Sequence, residues 1–355
     1  MGLTGSVITF RPELDEWLDA RLRVSAPVDP ADYLPLERLS GIARTSMPEG
    51  GRLYALVFPR TPHSAFYATY SMPAPTAANP RHREWHQVFL HPVTGAVQGQ
   101  RLMLDLARPW RGAPINIAQG VHRTLALGVY SEPALAVLAV AFIVSIGTGV
   151  LAWWPPRGRR LPAFVAGIGP PGRRALTLHN TLGLWAGVPL TVLAMTGIHL
   201  VEPAWIRAVI ALFAPVTVAP DVTSTSGQPL SVDDAVARTV AHFPDGRMWM
   251  VIHPQNAGDV YRVFRPSPRD RSAILPTRQL WLDQVTGAPV HEFGPDRFTA
   301  GDVIEQALYP MHSGELFGLA GRVAVAITGA VPLAVFWTGL YWWRQKTRAR
   351  TERQE

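Results

Sequence analysis

Residues Ala134–Trp154 read ALAVLAVAFIVSIGTGVLAWW, a run of 21 residues without a charged side chain. Two further uncharged runs of the same length follow, at Thr181–Val201 and Val323–Trp343. About 20 helical residues, at 1.5 Å each, cross the hydrocarbon core of a bilayer. The internal prolines Pro189 and Pro332 are compatible with membrane helices, where neighbouring groups satisfy the freed carbonyls. The three runs therefore predict three transmembrane helices.

The 355-residue chain has a formal charge of +7, and two segments hold its excess of basic residues. These bases are Arg157, Arg159, Arg160, Arg173, Arg174, Arg344, Lys346, Arg348, Arg350 and Arg353. Because loops rich in Lys and Arg stay in the cytoplasm, residues 155–174 and 344–355 are predicted to be cytoplasmic. The residues before about 116 and between about 203 and 305 are then outside, which predicts a multi-pass membrane protein. The charge indicates membrane orientation and no nucleic-acid partner.

The chain contains no cysteine. This excludes disulfides, thiolate zinc sites, iron–sulfur clusters, cysteine nucleophiles and covalently attached c-type haem. A metal centre would have to use His, Met, Tyr or carboxylate ligands. The sequence also shows no glycine-rich phosphate loop, GxSxG elbow, HExxH helix or Rossmann fingerprint, so no flavin or nicotinamide domain is expected in it.

Two halves of the chain share the same spacing of short motifs, which indicates an internal duplication. A Thr-Gly pair lies near the end of each hydrophobic run, and a fourth pair lies at residues 4–5. His122 precedes Thr148 by 26 residues, and His312 precedes Thr338 by the same number. The repeat unit places a membrane helix before each outer domain. A first transmembrane helix is therefore expected to be missing from this sequence.

The predicted fold class is an α+β membrane protein, in which a transmembrane helical bundle carries two outer α+β domains. Eight segments are expected: 1–9, the end of a first transmembrane helix; 10–115, the first outer domain; 116–154, an interfacial segment and helix; 155–174, a cytoplasmic loop; 175–201, a helix; 202–305, the second outer domain; 306–343, an interfacial segment and helix; and 344–355, a cytoplasmic tail.

Helices and strands alternate with turn signals in both outer domains. Helices are predicted around Glu13–Leu22 and from the N-cap Ser231 to about His242. Strands are predicted at Arg52–Phe58, Ala65–Ser71, Trp85–His91, Met248–His253, Val260–Phe264 and Gln279–Asp283. The matching stretches FLHPVTGAV and WLDQVTGAP each indicate a strand that enters a turn, with Gly95 and Gly287 at positive φ.

His122 and His312 occupy equivalent places in the two repeats, each at the outer end of a membrane helix. If each helix is continuous, about 39 Å separates each histidine from its Thr-Gly pair, and both imidazoles lie at one height. Two such imidazoles can provide both axial nitrogen ligands of a b-type haem. The alternative is a pair of interfacial histidines that hydrogen-bond to loops.

Two further histidines lie on the second membrane helix. His179 is at its cytoplasmic entry, where Gly183 and Gly187 share its face and would admit either a flat macrocycle or a neighbouring helix. Its partner ligand would come from the missing first helix, so one haem b is expected in this chain and two if that helix were present. His199, at the outer end, could line the haem pocket, contact a propionate, replace an axial ligand or form an interfacial hydrogen bond.

Several motifs together resemble the PepSY-associated transmembrane family, the iron-regulated membrane proteins that include ferric-siderophore reductases of Gram-negative bacteria. They are LTGSVITF at 3–10, VHRTLALG at 121–128, LHNTLGLWAG at 178–187, LSVDDAVARTVAHFP at 230–244, LWLDQVTGAPV at 280–290, MHSGELFGLAGR at 311–322 and TGLYWWR at 338–344. The resemblance covers nearly the whole chain. It implies four transmembrane helices, two periplasmic PepSY-like domains and b-type haems held by helix-end histidines.

On this resemblance, His122 and His312 would hold the periplasmic-side haem and His179 the cytoplasmic-side one. The implied function is transfer of electrons across the inner membrane, with reduction of ferric siderophores in the periplasm for iron uptake. The implied partners are membrane lipid, a ferric siderophore or another periplasmic electron acceptor, and an electron donor that the sequence does not identify. The competing hypothesis is a non-enzymatic PepSY membrane protein that senses or regulates a periplasmic partner and whose histidines are structural.

Overall fold

The computed structural model describes residues 1–24, 26–73, 83–105, 110–125, 131–154, 173–225, 227–270, 272 and 277–352. Most of the predicted basic loop at 155–174, including Arg157, Arg159 and Arg160, lies outside these residues. The described helices are α1 (Gly2–Ile8), α2 (Arg11–Leu18), α3 (Leu36–Ser46), α4 (Pro114–Thr124), α5 (Ser131–Trp153), α6 (Arg174–Val201), α7 (Pro203–Ala211), α8 (Val232–His242), α9 (Ala300–Ser313) and α10 (Gly318–Thr351).

Within the described residues, three helices are long and apolar enough to cross a membrane, which confirms the three predicted spans. They are α5, α6 and α10, the last together with the short turn that precedes it. Large apolar side chains on them face outward, such as Val137, Trp185 and Phe336, which are 60%, 66% and 59% exposed. Soluble proteins rarely expose apolar side chains along whole helices, whereas membrane helices expose them to apolar lipid chains. The chain is therefore a membrane protein.

The two histidines of the repeat lie on short helices of their own, and the assumption of one continuous helix is wrong. His122 is on α4, which ends where Leu125 adopts a left-handed conformation, φ 47°. His312 is on α9, which ends at Gly314, φ 82°, before a 3-10 turn at Glu315–Phe317. A left-handed residue terminates a helix and turns the chain away. His122 and His312 are each 26 residues before a Thr-Gly pair, but the helix that carries each histidine is separate from the membrane helix that follows it.

The short helix α1 packs closely against α10 through small residues. A β-carbon at Gly2 would collide with the carbonyl oxygen of Gly329. One turn later, the Ser6 hydroxyl donates a 2.6 Å hydrogen bond to the carbonyl of Ala326. Small residues allow two helix backbones to approach in this way. Because α1 also contacts α4, its Thr-Gly pair lies beside His122.

The two outer segments together build one antiparallel sheet of eight strands, in the order β4-β3-β2-β1-β5-β6-β7-β8. The strands are β1 (Arg52–Val57), β2 (Phe66–Pro73), β3 (Arg83–Leu90), β4 (Val97–Asp105), β5 (Met250–Ile252), β6 (Val260–Phe264), β7 (Gln279–Asp283) and β8 (Pro289–Phe293). The halves join edge to edge between β1 and β5, where Leu56 faces Val251. Joining the two edge strands removes exposed backbone hydrogen-bonding groups from both halves.

The amphipathic helices α3 and α8 pack against this sheet around one buried core. The core side chains come from both helices and from both halves of the sheet: Leu36, Leu39, Ala43, Leu56, Phe66, Tyr70, Val88, Val232, Ala235, Val251, Val263 and Leu280. The Ser231 hydroxyl accepts a bond from the Asp234 amide and so begins α8 as predicted. Gly95 and Gly287, φ 71° and 67°, also adopt the predicted left-handed conformation.

Candidate functional site

The imidazole of His122, from α4, lies beside that of His312, from α9. The two ring centres are 6.2 Å apart, and the ring planes are inclined by 54°. The helix α4 contacts α1 and α5, whereas α9 contacts α6, so the surrounding helices bring the two rings together. The repeat spacing predicts equal heights for these histidines, and in the structure they are neighbours.

The Nδ1 atom of each ring faces oxygen atoms of an adjacent helix. His122 Nδ1 lies 3.1 Å from the Met1 carbonyl oxygen and 3.3 Å from Thr4 Oγ1. His312 Nδ1 lies 2.9 Å from Thr196 Oγ1 on α6. Both threonine hydroxyls donate to carbonyls of their own helices, which leaves their oxygens free to accept from the rings. Each imidazole is therefore held at Nδ1.

These contacts determine which ring nitrogen carries the proton. His122 Nδ1 faces the backbone carbonyl of Met1, which can only accept a hydrogen bond. His312 Nδ1 faces the Thr196 hydroxyl, whose own proton is directed to the carbonyls of its helix, so that its oxygen accepts from the ring. We therefore assign the proton to Nδ1 in both rings. The lone pair of Nε2 is then available, as in histidine metal ligands whose second nitrogen donates to the protein.

Both imidazoles are held in the neutral form. Burial lowers the pKa of His122, although its hydrogen bond to Met1 partly opposes this effect. Burial, followed by the positive charge that His122 could carry, lowers the pKa of His312 to about 4. A histidine must be neutral to bind a metal. The pair is therefore in its ligating form at neutral pH.

His179 lies near the start of α6, far from the His122–His312 pair. Thr196 follows His179 by 17 residues along the helix, which corresponds to about 26 Å. His179 Nδ1 donates a 2.9 Å hydrogen bond to the carbonyl of Val335 on α10. By the same reasoning as above, its Nε2 lone pair is available.

The two glycines that share a face with His179 differ in their surroundings. A β-carbon at Gly187 would lie 3.4 Å from the Ile146 side chain of α5, an ordinary helix-packing contact. A β-carbon at Gly183 would meet no atom of the described residues within 4 Å. Only Gly187 is therefore engaged in packing between described helices.

His199 belongs to a separate group of polar residues, with Glu305 and Arg207, that links α6, α7 and α9. Its Nε2 lies 3.6 Å from Glu305 Oε1 on α9. The Glu305 carboxylate is 6% exposed and accepts a 2.6 Å bond from Arg207 on α7. A buried carboxylate needs such a cationic partner. Neither Glu305 nor Arg207 is part of a recognisable sequence motif, and the sequence analysis does not identify them.

The number of ligands limits what the His122–His312 pair can hold. Among the described residues, no group of three or more His, Asp or Glu side chains is arranged to hold a metal ion. A bare zinc ion takes at least three protein ligands, so two imidazoles are too few. Haem iron needs only axial ligands from the protein, because the macrocycle supplies the other four. Two facing imidazoles therefore suit haem better than a bare ion.

The sequence analysis uses the Thr-Gly pairs only as markers of spacing, and it misses what they contact. A β-carbon at Gly5 would lie 2.9 Å from His122 Cε1, and one at Gly197 would lie 3.3 Å from His312 Cε1. The recurrence of the pair is the sequence signal for this contact. Its meaning depends on which helices are neighbours, and spacing along the chain does not give that.

Comparison with known proteins assigns the chain to a family. No curated protein matches it. The family described as the PepSY-associated TM region matches residues 1–346, which includes every described helix and strand except the last residues of α10. This protein therefore belongs to the PepSY-associated TM family.

Proposed function

We propose that this membrane protein binds haem b through His122 and His312 and passes electrons to a ferric siderophore or another periplasmic acceptor. The observation that carries the proposal is the pair of adjacent imidazoles whose Nδ1 atoms are both hydrogen-bonded within the protein. Both Nε2 atoms are then available to one iron.

The separation of the two rings fits a shared iron. Metal–imidazole bonds of about 2 Å on each side, plus about 1 Å from each nitrogen to its ring centre, separate the ring centres by about 6 Å. The ring centres of His122 and His312 are 6.2 Å apart. Bis-histidine ligation by neutral imidazoles is also typical of haems that transfer electrons without binding substrate at the iron.

A group of arginines near the pair suits the carboxylates of haem. Arg123 follows His122 directly on α4, and Arg11 donates a 3.3 Å hydrogen bond to Asn116 on the same helix. Haem b carries two propionates, and cationic side chains near the ligands would offset their charge. We therefore expect these arginines to contribute to haem retention.

The chain's own residues would bind, orient and insulate the group, and haem when bound would supply one-electron transfer. The imidazoles of His122 on α4 and His312 on α9 would hold it, while the apolar helices would limit access of water. His179 is available as a ligand near the other end of α6 and would serve a second haem if another residue completed that site. An electron that reaches the acceptor converts Fe(III) to Fe(II), which hard oxygen chelators hold less tightly.

The proposed orientation in the inner membrane rests on the basic tail. The helix α10 continues past its apolar part through Arg344, Lys346, Arg348 and Arg350. Lys and Arg next to a membrane helix favour the cytoplasmic side. With the tail inside, the sheet and the His122–His312 pair are on the periplasmic side, where an acceptor from outside the cell would arrive.

Electron transfer can be tested with purified protein in nanodiscs. The protein is reduced without oxygen, freed of reductant and mixed with a ferric trihydroxamate and a colorimetric Fe(II) chelator. We expect Fe(II) to appear as the haem is reoxidised, and His312→Ala to remove this activity. The variant of the exposed histidine, His63→Ala, is the matched control. Equal Fe(II) formation by wild type and His312→Ala would contradict the proposal.

A further inference from the structure

Three histidines of the bundle share one arrangement with the Thr-Gly pairs. At two of them a backbone carbonyl three residues before the threonine accepts from Nδ1: that of Met1, before Thr4, for His122 and that of Val335, before Thr338, for His179. At His312 the Thr196 hydroxyl takes this place, and it donates in turn to the carbonyl of Leu193, three residues before it. The histidines served are His122, His312 and His179. They lie on three different helices, α4, α9 and α6, so the shared arrangement does not come from one local packing event.

The glycine of each pair contacts the same ring atom. A β-carbon at Gly5, Gly197 or Gly339 would lie 2.9, 3.3 or 3.0 Å from Cε1 of its histidine. These distances are shorter than ordinary van der Waals contact, so any larger residue would displace the ring. The ring edge thus occupies the place where a side chain would begin.

The fourth Thr-Gly pair provides an internal comparison. Thr148 has the same hydroxyl bonds to its own helix, to Val144 and Ser145, as Thr338 has to Ala334 and Val335. A β-carbon at Gly149 would nevertheless meet no atom of the described residues within 4 Å. The dipeptide alone therefore does not create the contact; a histidine from a neighbouring helix does.

We propose that these three Thr-Gly pairs are positioning sites for imidazole ligands. The backbone carbonyl, the threonine hydroxyl or both hold the proton on Nδ1, and the glycine sets the rotation of the ring by accommodating Cε1. Together they aim Nε2 toward the space where a metal would bind. This inference rests on the proposed haem-binding function and names the residues that prepare its ligands.

General chemistry explains why such sites are needed. A metal-bound histidine nearly always donates its other N–H to a fixed acceptor, which sets the tautomer and ring orientation. Loss of such a partner typically weakens metal affinity by about 10- to 100-fold. A backbone carbonyl cannot be removed by substitution, so the glycine is the most accessible point at which to disturb the arrangement.

The test compares the same substitution at two Thr-Gly pairs. Gly197→Ala places a methyl group 3.3 Å from His312 Cε1, whereas Gly149→Ala adds it in open space. We expect Gly197→Ala to weaken haem retention by about 10-fold and to shift the low-spin electron paramagnetic resonance signal. We expect Gly149→Ala to match wild type in both measurements.

Failure of this inference can be distinguished from failure of haem binding. If wild type holds haem and both glycine variants behave like it, the positioning role is wrong and haem binding stands. If wild type holds no haem, nitrogen-15 spectra of protein labelled at histidine still test whether the Thr-Gly pair positions the His312 ring. The inference is supported if the wild-type spectrum shows the His312 proton on Nδ1 and if the signal of that ring changes in Gly197→Ala but not in Gly149→Ala. A proton on Nε2 overturns it.

A second pair of variants covers the case in which Gly197→Ala does not fold. Thr196→Val keeps the shape of the side chain but removes the oxygen 2.9 Å from His312 Nδ1. Thr148→Val is its matched control, because the described residues place no histidine at that hydroxyl. We expect the histidine nitrogen spectra to change for Thr196→Val alone. Identical spectra for both valine variants would contradict the inference.

Discussion

Asp233 caps the first turn of α3, and Glu37 caps the first turn of α8 in return. The Asp233 carboxylate accepts bonds of 2.7 and 2.9 Å from the backbone N–H groups of Leu36 and Glu37. The Glu37 carboxylate accepts a 3.1 Å bond from the N–H of Val232. Each outer segment thus satisfies the free backbone donors of a helix in the other. These bonds join the two halves of the duplicated outer region across the β1–β5 junction.

The capping predicts how an alanine at Asp233 affects stability. The first N–H groups of a helix have no partner within it, and loss of a side-chain cap costs about 1 kcal/mol. We expect Asp233→Ala to weaken protection of the Leu36 and Glu37 amides by about fivefold in hydrogen exchange of the full chain. Asp221→Ala, at an exposed carboxylate, should leave their exchange unchanged. Equal protection in wild type and Asp233→Ala would contradict the capping role.

The outer sheet should lose stability in mild acid because of His253. This side chain is 4% exposed, and burial lowers its pKa to about 4. In the unfolded chain His253 has its ordinary pKa of 6.5 and binds a proton below that pH, whereas in the folded protein it stays neutral until about pH 4. The free energy of unfolding therefore has its full value above pH 6.5 and falls as the pH approaches 4. At pH 5 it is lower by about 2 kcal/mol.

Thermal unfolding of the full protein in detergent at pH 7 and pH 5 measures this effect. We expect the unfolding temperature to fall between these values in wild type and to fall less in His253→Gln. The variant His63→Gln, at an exposed histidine, should retain the full decrease. If His253→Gln shows the same decrease as wild type, His253 is not the responsible group.

Much of the fold follows from patterns of residues that are neighbours in the chain. The strands Val260–Phe264 and Gln279–Asp283 have the predicted bounds, and so does the helix after Ser231. Two strands, β4 and β8, are not predicted. The first has polar residues and a glycine at 98–101, and the second begins with Pro289, so neither shows clear alternation of apolar and polar residues.

The site is less accessible to sequence reasoning, because it depends on contacts between helices. Spacing singles out His122 and His312 but treats each as part of a membrane helix. The left-handed conformations at Leu125 and Gly314 break that continuity. The bonds from Nδ1 to neighbouring helices need the packing of α1 on α4 and of α6 on α9, which periodicity does not reveal.

The absence of cysteine from the chain allows a direct test of its orientation. A single cysteine can be introduced at Ala257, in an exposed turn of the outer sheet, or at Thr347, on the basic tail. We expect a maleimide that cannot cross membranes to label Ala257→Cys but not Thr347→Cys in cells with a permeabilised outer membrane. Lysis should make both reactive. Labelling of Thr347→Cys before lysis would contradict the proposed orientation.

His199 should affect the protein through Glu305 and not through the haem iron. The two side chains are 3.6 Å apart, and Arg207 is a second partner of the same carboxylate. We therefore expect His199→Gln to keep haem content and the low-spin spectrum of wild type while lowering thermal stability modestly. Loss of the low-spin spectrum in this variant, with retention in His122→Ala, would show that His199 is an axial ligand.

The central claim is that His122 and His312 bind one haem b, and the absorption spectrum of the purified protein tests it most directly. We predict a Soret band, a low-spin spectrum typical of two histidine ligands and one haem per chain in the pyridine haemochrome assay. His122→Ala and His312→Ala should each lose this spectrum while still inserting into the membrane. A protein without a Soret band would favour the sensor or regulator, and a spectrum that survives both substitutions would contradict the ligand assignment.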